Sequence, residues 1–157
     1  MTTKVNPIPD GYHSLTPFIV CVDAAGAIDF YQTVFGAEVL SRNDGPDGSV
    51  LHAELRIGNS MLQLSDPNPE YGLVPPEPGV ASSSLMLYCD DVDVVFARAV
   101  EAGATVRVAV QTFVTGDRFG SVIDPHGRRW AIMTRVEDVP EDEAKRRVDE
   151  WVASNTS

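Results

Sequence analysis

The residues best suited to acid-base chemistry lie together in one alternating stretch of sequence. His52, Glu54 and Arg56 are spaced two residues apart, so on a β-strand they share one face. A histidine beside a carboxylate can act as a general base with a group that orients it. Tyr88, at the end of another apolar run, is a third candidate for acid-base catalysis. The structural alternative for His52 is a hydrogen-bonded sheet histidine with no catalytic role.

Other catalytic arrangements are missing from the sequence. It contains no Ser-His-Asp or Cys-His arrangement, no glycine-rich phosphate loop and no Walker motif. Cys21 and Cys89 both lie inside apolar runs, where a thiol behaves as a small hydrophobic residue. The cysteines therefore predict neither a disulfide nor a metal site.

Composition favours a soluble globular protein. The 157 residues are 43% hydrophobic and 22% charged, and the formal net charge of −11 disfavours binding to nucleic acid or anionic membranes. No apolar run is long enough to span a bilayer. Residues 1–10 lack the apolar core of a signal peptide, so a cytoplasmic protein is expected.

Two segments of the chain resemble each other, and each follows a strand-like apolar run. In both, an aspartate precedes apolar residues at helical spacing, and a glycine follows them. This pattern predicts helices over 24–35 and 92–102. Further strands are expected at 38–40, 49–57 and 60–65 in the first half, and at 105–108, 119–123 and 129–135 in the second. Each half is therefore βαβββ, and the halves are offset by about 67 to 69 residues.

A proline-rich stretch separates the two halves. Its prolines exclude a central strand or a helix; they are Pro67, Pro69, Pro75, Pro76 and Pro78. The expected organisation is one α+β domain with module 1 at about 12–66, a linker at about 67–82, module 2 at about 83–135 and a tail at about 137–157. The tail is predicted to form a short amphipathic helix that begins at Pro140 and packs through Trp151.

The doubled βαβββ plan and two local phrases resemble the vicinal oxygen chelate superfamily. The phrases are Ala27-Ile-Asp-Phe-Tyr31 before Phe35-Gly-Ala37, and Asp124-Pro-His-Gly127 before Trp130. This superfamily includes glyoxalase I, extradiol dioxygenases, fosfomycin-inactivating transferases and bleomycin-resistance proteins. The resemblance covers about residues 12–135, and it implies a cup-shaped mixed sheet that encloses a small ligand.

The resemblance also locates the positions at which catalytic members hold a divalent ion with His, Gln or Glu. These positions fall near Thr16, at Gln63, near Ser84 and at Ala131. Among these residues, Gln63 alone could coordinate a metal ion, and only weakly. A metal site needs several convergent N or O donors, so one glutamine is not sufficient. We therefore expect no metal and no cofactor.

Strand alternation and the resemblance together predict the side chains that line the cup. Phe113 and Phe119 are included because their rings could stack on a planar ligand. Alternatively, the predicted lining residues simply fill a hydrophobic core. Asp117 and Arg118 are interpreted as a turn-stabilising ion pair. The predicted ligand-binding residues are Thr16, Phe18, Met61, Gln63, Ser84, Met86, Tyr88, Phe113, Phe119, Arg129, Ala131 and Met133.

Three functions remain open on this basis. The favoured hypothesis is metal-independent binding of a small organic molecule, aromatic or cationic, as in the bleomycin-resistance type of antibiotic resistance. The second is a glyoxalase-like lyase, an isomerase or a dioxygenase-like enzyme that uses His52, Glu54 or Tyr88, or a non-standard metal site. The third is a dimeric interaction protein with a vestigial cup. The resemblance implies a homodimer under each hypothesis.

Overall fold

The computed structural model describes residues 5–155 and has an α+β fold. The described residues separate into two compact units, with the boundary between Val80 and Ala81. Each unit contains one four-stranded mixed sheet with a helix after its first strand. The predicted pair of βαβββ modules is confirmed.

The first unit is built from β1 (Phe18–Val20), α1 (Ala24–Phe35), β2 (Glu38–Asp44), β3 (Val50–Ile57) and β4 (Ser60–Ser65). Its strands lie in the order β1-β4-β3-β2. β1 runs parallel to β4, and the other two pairs are antiparallel. The sheet is mixed because of how its strands are connected. β2, β3 and β4 form an antiparallel meander, and β4, its last strand, lies beside β1 and parallel to it.

The second unit repeats this plan. It contains β5 (Ser84–Tyr88), α2 (Val92–Glu101), β6 (Thr105–Thr112), β7 (Asp117–Ile123) and β8 (Arg129–Arg135). The strand order is β5-β8-β7-β6. Phe18 pairs with Gln63 in the first unit as Met86 pairs with Ala131 in the second, and both partners of the second pair lie 68 residues further along the chain. The internal repeat thus extends to the register of the parallel strands.

Aspartates begin both helices, as the sequence predicts. Asp23 Oδ1 accepts a hydrogen bond from the backbone nitrogen of Gly26 at 2.9 Å, and Asp91 Oδ1 accepts one from Val94 at 3.2 Å. Each bond satisfies a backbone donor that has no partner inside the helix. Gly36 ends α1 with φ of 67°, a conformation that favours glycine.

A second capping contact at each helix start comes from the end of the module's last strand. Asp66 Oδ1 accepts from Ala24 N at 2.9 Å, and its Oδ2 accepts from Val50 N at 2.6 Å. Thr134 Oγ1 accepts from Val92 N at 2.8 Å. Asp66 and Thr134 therefore tie each helix to its own sheet from equivalent positions.

The core of each unit lies between its helix and one face of its sheet. Ala53 and Leu55 of β3 are fully buried, as is Tyr31 of α1. In the second unit α2 approaches the sheet so closely that a Cβ on Gly120 would lie 2.6 Å from the Phe96 ring. Gly120 therefore faces α2, and its neighbours on β7 face the opposite side.

The remaining segments contain one short 3-10 helix and one longer helix. The proline-rich stretch contains only a short 3-10 helix, Pro69–Tyr71, as regular structure. Helix α3 (Glu141–Asn155) begins directly after Pro140, and the Trp151 ring packs edge-on against Phe113 at 5.3 Å between ring centroids.

Cys21 is buried and Cys89 is half-buried, and they form no disulfide. Among the described residues, no helix has the length and apolar character needed to cross a membrane.

Candidate functional site

Four side chains form one row across the sheet of the first unit. The register pairs Phe18 with Gln63, Gln63 with Glu54, and Glu54 with Ser41, so the row crosses all four strands. The residues that flank Glu54 on β3 are buried in the core. Because side chains alternate along a strand, the row lies on the face opposite α1. Ser41, Glu54 and Gln63 are named here the polar row.

Hydrogen bonds tie the polar row together. Gln63 Nε2 donates to Glu54 Oε1 at 3.2 Å and to the Tyr12 hydroxyl oxygen at 3.3 Å. Ser41 Oγ donates to Glu54 Oε2 at 3.1 Å. Both carboxylate oxygens of Glu54 are thus held by neutral donors, which orient the group without cancelling its charge.

These contacts set the charge states of the site. The hydroxyl of Tyr12 also donates to Glu54, and this bond is the largest of several effects that hold the pKa of Glu54 below its usual value; partial burial opposes them. The pKa of Tyr12 is raised, first by burial and then by its bond to Glu54. At neutral pH Glu54 is therefore an anion and Tyr12 is a protonated donor.

The neighbouring arginines of the first unit pair with carboxylates other than Glu54. Arg56, two residues along the same face, pairs with Glu38, and Arg42 on the adjacent strand pairs with Asp44 at 2.7 Å. Across residues 5–155, no lysine or arginine forms an ion pair with Glu54. Its carboxylate is an oriented, partly buried negative charge.

Two rings lie on the same sheet face as this charge. The ring centroids of Phe18 and His52 are 6.0 Å apart at an interplanar angle of 35°. His52 is half-buried two residues from Glu54, and 40% of Phe18 is exposed. The face therefore combines a fixed anion with an exposed aromatic surface.

The corresponding row of the second unit is chemically different. Register aligns Met86, Ala131, Ser121 and Val108 across β5, β8, β7 and β6. No carboxylate lies in this row. The polar character of the first row is thus a property of one module and not of the repeat.

The predicted ligand residues fall on two sheet faces. In the first unit, Phe18, Met61 and Gln63 alternate onto the face opposite α1, and Thr16 lies two residues before β1. Phe113 lies just after β6 and packs edge-on against Phe119, at 6.4 Å between ring centroids, as well as against Trp151. The face opposite α2 in the second unit carries Ser84, Met86, Tyr88, Phe119, Arg129, Ala131 and Met133.

The expected ion pair between Asp117 and Arg118 is wrong. Arg118 instead binds Asp93 of α2 through two bonds, at 2.6 and 2.7 Å. Adjacent residues of a strand point to opposite faces, so Arg118 turns toward the helix and Asp117 turns away.

Comparison with known proteins identifies the family. Residues 12–132 match the model of the Glyoxalase/Bleomycin resistance protein/Dioxygenase superfamily. The chain belongs to this superfamily.

Relatives within the superfamily are similar over most of their length. The uncharacterized protein Rv0887c of Mycobacterium tuberculosis is 41% identical over 134 residues, which are 83% of this chain and 79% of that one. Among solved structures, TioX from Micromonospora sp. ML1 has a TM-score of 0.64 at 24% identity, covering 78% of this chain and 98% of TioX. A glyoxalase/bleomycin resistance protein/dioxygenase family enzyme from Burkholderia phytofirmans PsJN has a TM-score of 0.62 at 20% identity, covering 76% and 96% of the two chains. The structural matches support the fold.

The positions to which the resemblance assigns the superfamily's metal ligands carry few metal donors. Thr16 and Ser84 offer hydroxyls and Ala131 offers nothing, while the Gln63 amide already bonds to Tyr12 and Glu54. Residues 5–155 include no group of three or more His, Cys, Asp or Glu side chains arranged to hold a metal ion. The donor set present therefore does not fit the divalent ion of the catalytic superfamily members.

Sequence reasoning missed two members of the site. Ser41 was not predicted because the second strand was expected to end at residue 40, whereas β2 continues to Asp44. Tyr12 lies in an irregular segment, 51 residues from the Gln63 side chain that it contacts. A longer second strand in the prediction would have placed Ser41 beside β3, but no local sequence pattern indicates Tyr12.

Proposed function

We propose that this superfamily member binds a small organic cation with an aromatic or other apolar body, on the face opposite α1, without metal and without chemical change. Such binding is the sequestration expected of the bleomycin-resistance type, acting in the cytoplasm. We also propose that the protein is a homodimer, as its superfamily resemblance implies. The ligand site argued below lies within the first unit.

Glu54 carries this proposal. The partly buried Glu54 carboxylate has neutral donors on both oxygens, and within residues 5–155 it has no lysine or arginine as a counter-ion. A cationic ligand would supply the missing charge. The exposed Phe18 ring offers an apolar and cation-π contact to the same ligand.

The charge states of the site favour binding over acid-base catalysis. A general base works best when its pKa lies near the working pH, and a general acid must be protonated there. The hydrogen bond from Tyr12 and the smaller effects beside it lower the pKa of Glu54, which makes it a weak base and leaves it without a proton to donate. An ionised and oriented carboxylate is instead suited to hold a cation.

The test compares two benzyl compounds that differ in charge. Benzyltrimethylammonium is cationic, and benzyl alcohol is neutral. We expect calorimetry to detect the first and not the second, and mass spectrometry to recover the first unchanged. The substitution Glu54→Gln keeps the shape and the hydrogen-bonding positions but removes the charge, so the affinity should fall by about tenfold or more.

Glu70→Gln is the matched control. Glu70 is exposed in the short 3-10 helix of the same unit, so this variant loses the same charge away from the sheet face. Equal losses of affinity in the two variants would attribute binding to the net charge of the protein, and the proposal would fail. Chemical conversion of the probe would favour the enzyme hypothesis.

A further inference from the structure

Arg129 occupies a central place on the sheet of the second unit. It is the first residue of β8, a strand flanked by β5 on one side and β7 on the other. Its Nη2 donates to the Ser121 hydroxyl at 3.4 Å, and Ser121 is buried. Because Gly120 faces α2, Ser121 and Arg129 lie on the opposite face.

The Arg129 guanidinium has fewer partners than its donors require. Its Nε is buried and has no acceptor among the described residues, and the bond to Ser121 is long. An arginine carries five N–H donors and is charged at every physiological pH. The side chain is thus half-buried with most of its hydrogen-bonding capacity unused by the part of the chain that the structure describes.

Among residues 5–155, no carboxylate forms an ion pair with Arg129. Asp117 is the acidic residue of β7 on the same face as Arg129, and it pairs in register with Arg135 at the far end of β8. Six residues of extended strand separate the two arginines, which corresponds to about 20 Å. A local salt bridge to Asp117 therefore does not account for Arg129.

Exposed apolar side chains lie along β5, on which Ser84 is the register partner of Arg129. Met86 and Tyr88 of the neighbouring strand β5 are 65% and 58% exposed. Met86 pairs with Ala131 and Tyr88 pairs with Met133, so all of them continue the face on which Arg129 lies. Large apolar side chains left this open are typical of a surface that contacts a ligand or partner.

We propose that the face opposite α2 binds a small organic anion, with Arg129 holding its carboxylate or phosphate and with Met86 and Tyr88 contacting its apolar body. The planar fork of arginine pairs with two oxygens of an oxyanion at once, so such a ligand would satisfy the Nε that the fold leaves without an acceptor. The Ser121 hydroxyl is a positioning group, because it orients the guanidinium through Nη2. Every residue named for this site belongs to the second unit.

The test uses phenyl phosphate, inorganic phosphate and benzyl alcohol as probes at constant ionic strength. Nuclear magnetic resonance would follow the Arg129 Nε–H signal and the methyl signals of Met86 and Met133. We expect phenyl phosphate to shift all three signals and inorganic phosphate to shift only the arginine signal. Benzyl alcohol alone should bind much more weakly than phenyl phosphate.

Substitutions separate geometry from charge. Arg129→Gln should weaken phenyl phosphate binding by about tenfold or more, and Arg129→Lys should restore little of it because the planar fork is lost. Arg135→Gln removes the same charge from the other end of β8 and should leave binding unchanged, with thermal melting confirming that each variant folds. Equal losses in the Arg129→Gln and Arg135→Gln variants, or no shift of the Arg129 signal, would overturn the proposal. Glu54→Gln should not affect phenyl phosphate binding, so this site and the cation site can fail separately.

Discussion

Glu54 illustrates how surroundings decide what one side chain can do. Its type and spacing suggest acid-base catalysis beside His52, yet its pKa lies below the usual range because Tyr12, Ser41 and Gln63 hydrogen-bond to the ionised form. A lowered folded-state pKa stabilises the native protein at pH values above the unfolded pKa. That contribution disappears as the pH falls through the folded pKa.

Removing the Tyr12 hydroxyl tests this arrangement. Tyr12→Phe should raise the pKa of Glu54 toward the ordinary value of about 4.3 and lower the free energy of unfolding at pH 7 by about 0.5 to 1.5 kcal/mol. The destabilisation should shrink as the pH falls from the unfolded pKa of about 4.3 through the lower folded-state pKa, because Glu54 then becomes protonated in the folded protein as well. Carbon-13 resonance titration of the Glu54 carboxyl and urea unfolding at several pH values measure the two effects.

Tyr71→Phe is the control for this prediction. Tyr71 is 80% exposed, so loss of its hydroxyl should change neither quantity. An unaltered Glu54 pKa in Tyr12→Phe would show that the Tyr12 bond does not set the charge state of the site.

At the scale of elements, α1 and α2 are each joined to their own sheet by one residue near the end of the module's last strand. The Asp66 carboxylate accepts hydrogen bonds from the backbone nitrogens of Ala24 and Val50. The Thr134 hydroxyl accepts one from Val92 N and donates one to the Cys89 carbonyl oxygen at 2.8 Å. The two modules thus solve the same capping problem with different chemistry. Asp66 serves two backbone donors and Thr134 serves one.

Alanine substitution should reveal that difference. We expect Thr134→Ala to lower the free energy of unfolding by about 1 kcal/mol and Asp66→Ala by about 2 kcal/mol, because the latter leaves two partly buried N–H groups without an acceptor. Asp29→Ala, at an exposed position of α1, should change it by less than about 0.5 kcal/mol. Denaturant unfolding of the three variants measures these values; a loss for Asp66→Ala as small as that for Asp29→Ala would mean that water replaces the carboxylate.

At the scale of the whole molecule, the chain keeps the superfamily architecture. The resemblance places Thr16, Gln63, Ser84 and Ala131 at the positions that hold the metal in catalytic members. The net charge of −11 attracts cations in a general way, but a structural or catalytic ion requires convergent donors. General attraction and specific coordination are therefore distinct expectations.

Metal analysis distinguishes them. Protein purified without added metal should contain less than one equivalent of any divalent ion, and its melting temperature should not change with EDTA or with stoichiometric nickel, zinc or iron, because only a metal bound to the folded state stabilises it. Magnesium at equal ionic strength is the control for general screening. A stoichiometric metal, or melting that rises with one of these ions, would restore a glyoxalase-like or dioxygenase-like enzyme.

The sequence alone was sufficient for the elements and their repetition. The first helix was predicted over 24–35 and is Ala24–Phe35, because Asp23 and Gly36 mark its ends through bonds and backbone geometry that involve only near neighbours. The strand from 60 to 65 was also predicted at both ends, since a glycine turn starts it and a proline-rich segment follows.

Tertiary structure decided which side chains meet. β2 extends beyond its predicted end because pairing with β3, through a register shift between Val39 and Ser41, supplies hydrogen bonds that no local pattern indicates. That pairing brings Ser41 to Glu54, and the path of the chain brings Tyr12 to Gln63 from 51 residues away. Helix caps and turns depend on residues that are neighbours in sequence. A binding site depends on strand register and on contacts between distant segments, and both are set only when the strands pair in the folded protein.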